Sequence, residues 1–202
     1  MGYFSKLLLR NSNYDPSTKL SVHMDDRRAA LRLSEYLSNS LLNMEKKGPP
    51  IILCIGTDRS TGDSLGPLTG MQLNTLLKHW NLSLYGSLEE PVHALNLTET
   101  IQSFSPEEKG RPLIAIDACL GKTSPVGSII AQREPLLPGI GLKKNLPAVG
   151  DISISGIVNM GGFMELQVLQ NTRLNLVFKM AKIIAQGVYW SIQRTYPQLR
   201  KY

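Results

Sequence analysis

Short apolar runs alternate along this chain with stretches of helical periodicity. From Asp25 to Lys46 the apolar positions Ala29, Leu33, Leu37, Leu41 and Met44 recur at helical spacing, which predicts a helix over 25–46. Asp25 or Asp26 stands where an N-cap is wanted, and Gly48-Pro49-Pro50 stops the pattern. Lys46 and Lys47 then fall in the last turn, where the helix dipole favours cations. Ile51 to Ile55 is apolar at every position, the mark of a strand buried on both faces, as in a parallel sheet. Small and polar residues over Gly56–Gly62 predict a loop, and Leu65, Leu68, Met71, Leu76 and Leu77 predict a helix over 65–80.

The alternation continues. Pro91–Leu95 reads as a strand and Asn96–Phe104 as a short helix. Leu113–Ile116 is a second fully apolar strand, ending at Asp117. Gly127–Gln132 carries β-branched residues at its centre and reads as a strand. Residues 133–150 hold Pro135, Pro138 and Pro147 with Gly139, Gly141 and Gly150, a density of breakers that predicts a long loop. Asp151–Val158 alternates like a strand, and Phe163 to about Tyr196 is helical in pattern, with Gly187 as a candidate break. Strands alternating with helices imply a mostly parallel sheet covered by helices, a three-layer α/β/α fold. Residues 1–24 read as an irregular polar arm before a single domain over 25–202.

Composition narrows the function classes. The chain has 202 residues, enough to bury a core without disulfides or structural zinc. A 42% hydrophobic and 19% charged composition is that of an ordinary globular protein. No apolar run approaches a membrane span, and Leu7-Leu8-Leu9 is too short for a signal-peptide core, so a cytoplasmic protein with no membrane partner is expected. The net charge of +6 comes from scattered basic residues with no aromatic interleaving, which gives no case for nucleic-acid binding. Cys54 and Cys119 each lie in an apolar run and read as buried packing thiols.

Two segments carry candidate chemistry. Gly56-Thr57-Asp58-Arg59-Ser60-Thr61-Gly62-Asp63-Ser64-Leu65-Gly66-Pro67 follows an apolar strand and opens a helix. Ile116-Asp117-Ala118-Cys119-Leu120-Gly121 places an acid at the end of another. If both strands share one parallel sheet, Asp63 and Asp117 face one cleft beyond their carboxyl ends. Two carboxylates in a partly dry cleft resist both being charged, so one pKa rises. One can then take a proton from water while the other gives or shares one. The same pair could hold a divalent cation through oxygen ligands. Structural roles compete: Ser60, Thr61 or Asp63 could cap the helix, and Asp117 could accept from loop amides. The loop is no phosphate loop, because Asp63-Ser64 stands where Lys-Ser/Thr is needed. His93, near a strand-to-helix junction, could supply a base or ligand. No Gly-x-Ser-x-Gly elbow is present.

These stretches, with Glu90-Pro91-Val92-His93-Ala94-Leu95-Asn96-Leu97 and Gly150-Asp151-Ile152-Ser153-Ile154 followed by Val158-Asn159, resemble the YyaC sporulation protein family of endospore-forming bacteria over roughly 50–187. That family looks like a relative of the spore germination protease, and more distantly of the hydrogenase maturation endopeptidases. The resemblance implies a phosphorylase/hydrolase-like fold and a peptidase acting in the cytoplasm of the sporulating cell or forespore. It implies a peptide or protein substrate such as the small acid-soluble spore proteins. Thr61-Gly62-Asp63-Ser64-Leu65-Gly66-Pro67 resembles the stretch around the germination protease's essential aspartate, and Ile116-Asp117-Ala118 its second. Asp63 and Asp117 are thus expected to be catalytic, with Asp58, Arg59, His93, Asn96, Asp151 and Asn159 shaping the substrate cleft. The histidine loop of the maturation enzymes' nickel site has no counterpart, since no His follows Asp117. A binding protein without hydrolysis on the same scaffold, or a metal-assisted hydrolase, are the alternatives.

Overall fold

The computed structural model describes residues 19–138, 146–162 and 164–201. Six strands form one sheet: β1 (Leu20–His23), β2 (Ile51–Cys54), β3 (Leu84–Tyr85), β4 (Leu113–Gly121), β5 (Ser128–Gln132) and β6 (Ile152–Met160). Their order is β1-β5-β6-β4-β2-β3. The β6-β4-β2-β3 half is parallel, while β5 and β1 extend it antiparallel. The helices are α1 (Ala29–Leu42), α2 (Leu65–Leu76), α3 (Leu97–Gln102), α4 (Pro106–Lys109), α5 (Glu165–Gln170) and α6 (Leu174–Thr195).

The apolar runs are continuous because both faces of the sheet are covered. Ile52, Cys54, Ile114, Ile116, Ile152 and Ile154 enter one large core with Leu33 and Leu37 of α1, Leu65 and Leu73 of α2, and Met180 and Ile184 of α6. The residues between them, Leu53, Ile55 and Ala115, enter a smaller core on the other face with Leu97 of α3.

Several expected elements differ. Leu20–His23, inside the stretch read as an irregular arm, is an edge strand, because β5 offers it an antiparallel partner. Residues 1–18 lie outside the described part. The first helix ends at Leu42, so Lys46 and Lys47 lie beyond its last turn. Asp26 is no cap of its first turn. Its carboxylate accepts from the Arg28 N–H and pairs with Arg32 instead. The helix expected over 65–80 stops at Leu76. Pro91–Leu95 is not a strand: Val92 makes one isolated bridge to Ile55, and the sheet edge goes to Leu84–Tyr85. The backbone there turns instead, because Asn96 supplies side-chain partners in place of a ladder. Its Oδ1 accepts from the His93 N–H (2.7 Å) and its Nδ2 donates to the Pro91 carbonyl (3.0 Å).

The last helical pattern is two helices, separated at Asn171–Arg173. Gly187 does not break the second, since it seats the Leu33 side chain. Phe163, where that pattern was expected to start, lies outside the described residues, as does 139–145 of the long loop. The expected strand at Leu113–Ile116 runs on to Gly121, because β6 continues beside it to Met160.

Asp151 sits ahead of Ile152, at the amino-terminal edge of the parallel strands. Its carboxylate pairs with Lys46 (2.8 Å) and accepts from the Leu113 N–H (2.9 Å), pinning the starts of β4 and β6 together. Asp151→Ala is expected to cost about 1–3 kcal/mol, because the Leu113 N–H loses its acceptor. Urea unfolding of the variant measures that loss.

Candidate functional site

The candidate site forms where β2 ends and β4 continues. Cys54, the last residue of β2, lies opposite Ile116, and the Ile55 N–H still donates to the Ile116 carbonyl (2.7 Å). Asp117 is therefore the first residue of β4 past the end of β2. It stays paired with Ser155 of β6 on its other side. The strand end was expected at this aspartate; instead Asp117 is held rigidly within a strand.

Asp63 is brought to the same place by close backbone packing. At Gly56 the chain leaves β2 with φ +142°, a conformation that L side chains rarely adopt. A Cβ there would strike the Asp63 carbonyl, and one on Gly66 would strike the Ile55 carbonyl. The two glycines let the loop and the start of α2 fold directly onto the end of β2. Two successive N–H groups complete the arrangement. Gly56 donates to the Val92 carbonyl (2.8 Å) and Thr57 to the Asp63 carbonyl (3.1 Å). Asp63 thus sits in a short 3-10 turn (Gly62–Ser64), and the residue after Val92, His93, is close enough for its charge to act on the Asp63 carboxyl. None of Ser60, Thr61 or Asp63 caps α2 through its side chain.

The electrostatics follow from burial. Asp117 is only 8% exposed. Burial pushes its carboxyl well above the ordinary aspartate range, the negative charge of Asp63 pushes it further, and the Ala118 N–H, donating to Oδ1 at 2.7 Å, opposes the shift. Burial also raises Asp63, against the Thr57 N–H and the charge of His93. The charge of Asp63 thus makes Asp117 the harder of the two to ionise.

The remaining expected residues fall in different places. Asn96 fixes the turn that presents His93, both ends of its amide being used on the backbone. Asp58 and Arg59 are exposed on the loop between Gly56 and Asp63. Asn159 lies at the correct edge, but its amide ties down α5. Nδ2 donates to the Val168 carbonyl (3.3 Å) and Thr172 Oγ1 (3.2 Å), and Oδ1 accepts from the Met160 N–H. Asp151 is at the opposite edge and does not join the site, a correction to its expected place in the cleft.

Cys119 is the residue the packing interpretation missed. It is half-buried and lies two positions past Asp117 on the same face of β4. Burial and then the Asp117 charge push its thiol up to about 11, so it is a neutral neighbour of the acid pair at pH 7. The Asp-x-Cys spacing on a strand was the available signal. Among the described residues no group of three or more His, Cys, Asp or Glu is gathered to hold a metal ion.

The fold and sequence have known counterparts. The family described as "Protein of unknown function (DUF1256)" matches residues 21–187. The "Uncharacterized protein YyaC" of Bacillus subtilis (strain 168) is 49% identical over 170 residues, covering 84% of this chain and 82% of its own length. The crystal structure of the NiFe hydrogenase maturation protease HycI from Thermococcus kodakarensis KOD1 superposes with a TM-score of 0.52 at 16% identity, covering 78% of this chain and 98% of that one. At that identity the likeness is one of fold, a mixed and mostly parallel sheet with helices on both sides.

Proposed function

The chain belongs to the DUF1256 family of proteins of unknown function, and from that premise we propose that it is a peptidase in which Asp63 and Asp117 act as an acidic pair on a bound water. The observation that carries this reading is the burial of Asp117 against the charge of Asp63 at the carboxyl edge of β2 and β4. The likeness of the fold to a maturation protease supports it.

Of the two acids, Asp117 is the more strongly raised and so serves as the proton donor, with Asp63 as the base. Asp63 takes a proton from water as the hydroxide oxygen bonds to the peptide carbonyl carbon. Asp117 gives its proton to the carbonyl oxygen, which stabilises the tetrahedral intermediate. Collapse breaks the C–N bond. Asp63 delivers its proton to the leaving amine, and Asp117 recovers its own from the oxygen. Both acids end as they began, and one water has been consumed. His93 beside Asp63 favours the ionised form that the first step requires.

Small acid-soluble spore proteins are the first substrates to test, in keeping with a role in the cytoplasm of the sporulating cell or forespore. Purified protein is incubated with them and intact mass is followed over time, beside Asp63→Asn and Asp117→Asn. Cleavage by the wild type that both variants lose is the expected result. Cleavage unchanged in either variant overturns the assignment.

A further inference from the structure

Among the described residues β3 is the outermost strand on its side of the sheet and pairs only with β2. The Ile52 N–H donates to the Ser83 carbonyl, a parallel-ladder pattern that turns the N–H and C=O of Leu84 outward, away from β2. An open strand edge of this kind is a template for another chain. Here the edge lies on the floor of a cleft. The cavity is about 790 Å³ and is lined by Leu84, Tyr85 and Gly86 together with Asn74 of α2 and Glu99 of α3. That volume is within the usual range for ligand sites, about 300–1,000 Å³. His93, whose charge acts on Asp63, also lines the cleft, which links the cleft to that side of the acid pair.

The charge of the lining selects the occupant further. Glu90 and Glu99 both line the cleft, and among the described residues neither carboxylate has a hydrogen bond or ion pair. No Lys or Arg lines it, in a chain whose net charge is +6. The cleft is thus a local acidic site on a basic protein, complementary to a cationic side chain.

We propose that this cleft binds an extended peptide as an added strand along β3, with a lysine or arginine side chain directed to Glu90 and Glu99. The proposal rests on the peptidase reading, for which it supplies the substrate arm. Main-chain hydrogen bonds to the outward groups of Leu84 would give affinity, and the two carboxylates would give selectivity.

The probes are fluorescein-labelled octapeptide mixtures, degenerate except for one position fixed as Lys, Ala or Glu, with binding followed by anisotropy. The proteins are the wild type, Asp117→Asn, and Asp117→Asn carrying Glu90→Gln and Glu99→Gln. Lys mixtures are expected to bind Asp117→Asn at least about tenfold tighter than Glu mixtures, and the added Gln substitutions should reduce that preference to about twofold or less. Backbone N-methylation of the tightest Lys peptide should abolish binding at the one amide that meets the Leu84 carbonyl and leave its neighbours unaffected, since adjacent N–H groups of an added strand point to opposite edges. Equal binding of Lys and Glu mixtures overturns the proposal. So does a Lys preference that survives both Gln substitutions, or N-methylation that acts alike at every amide. Binding needs no turnover. Capture of Lys peptides that the wild type never cleaves would end the peptidase reading and leave the cleft, whereas cleavage indifferent to Glu90, Glu99 and main-chain methylation would do the reverse.

Discussion

Changing Asp117 to Asn is expected to lower peptide turnover by about 10²–10⁴-fold and, at neutral pH, to make the protein more stable. Both effects come from the same buried carboxyl. In the wild type its pKa lies well above the ordinary aspartate value of 3.8. Between that value and the raised one, the folded state holds a proton that the unfolded chain has released. Stability therefore falls as pH rises through this window, and above it the full cost of a buried charge is present. An amide of the same shape never ionises, and its oxygen can still accept from the Ala118 N–H. The stability gap between variant and wild type should therefore be near zero in acid and widen with pH until the folded pKa is passed. Thermal unfolding midpoints from pH 3 to pH 9 measure it. A wild type and variant whose curves run parallel would show that Asp117 is not the raised group. Asp63→Asn, which removes the charge acting on Asp117, should end the Asp117-linked loss of stability at lower pH than in the wild type, because less of the upward push on Asp117 remains.

A methyl group at Gly66 is expected to cost about 3 kcal/mol or more, at or above the upper end of the usual overpacking range. Two effects oppose each other. Gly→Ala inside a helix gains up to about 1 kcal/mol from helix propensity. Against this, the new Cβ would sit on the backbone carbonyl of Ile55, which is fixed by β2 and cannot swing aside as a side chain could. The clash is larger and wins. Gly110 serves as the control. It sits in a right-handed conformation, and its nearest neighbour to a new Cβ is the Glu107 carbonyl at 3.8 Å. Gly110→Ala should therefore be neutral or stabilising by about 0.4–1 kcal/mol. Urea titration of both variants gives the comparison. The site should register the Gly66 change as well, because pushing α2 off Ile55 displaces the turn that carries Asp63.

These particulars separate local information from long-range information. The apolar runs at 51–55 and 113–116 announced strands buried on both faces, and with the helical periods between them they specified a helix-covered, mostly parallel sheet. Hydrophobic period is a local property, legible wherever the structure uses it. The same local logic put Asp63 in the loop after one such strand and Asp117 at the end of another, although β4 in fact runs on past Asp117 to Gly121. It could equally have removed Asp151, which stands before its strand and so belongs to the other edge once β6 is known to run parallel to β4.

The rest depended on partners distant in sequence. Whether a run becomes a strand is decided by what lies beside it. Leu20–His23 gained β5 as a neighbour, the Pro91–Leu95 run lost its place to Leu84–Tyr85, and β4 was extended past Asp117 by β6. The chemistry depends on distance more strongly still. Asp117 and Asp63 are ordinary carboxylates in an unfolded chain. Only the two close approaches at Gly56 and Gly66, together with a dry position beyond β2, make Asp117 feel the charge of Asp63. The sequence by itself therefore determined the kind of fold and which acids face its carboxyl edge. The tertiary structure decided which acid holds the proton, because desolvation and Coulomb interaction act through space and not along the chain.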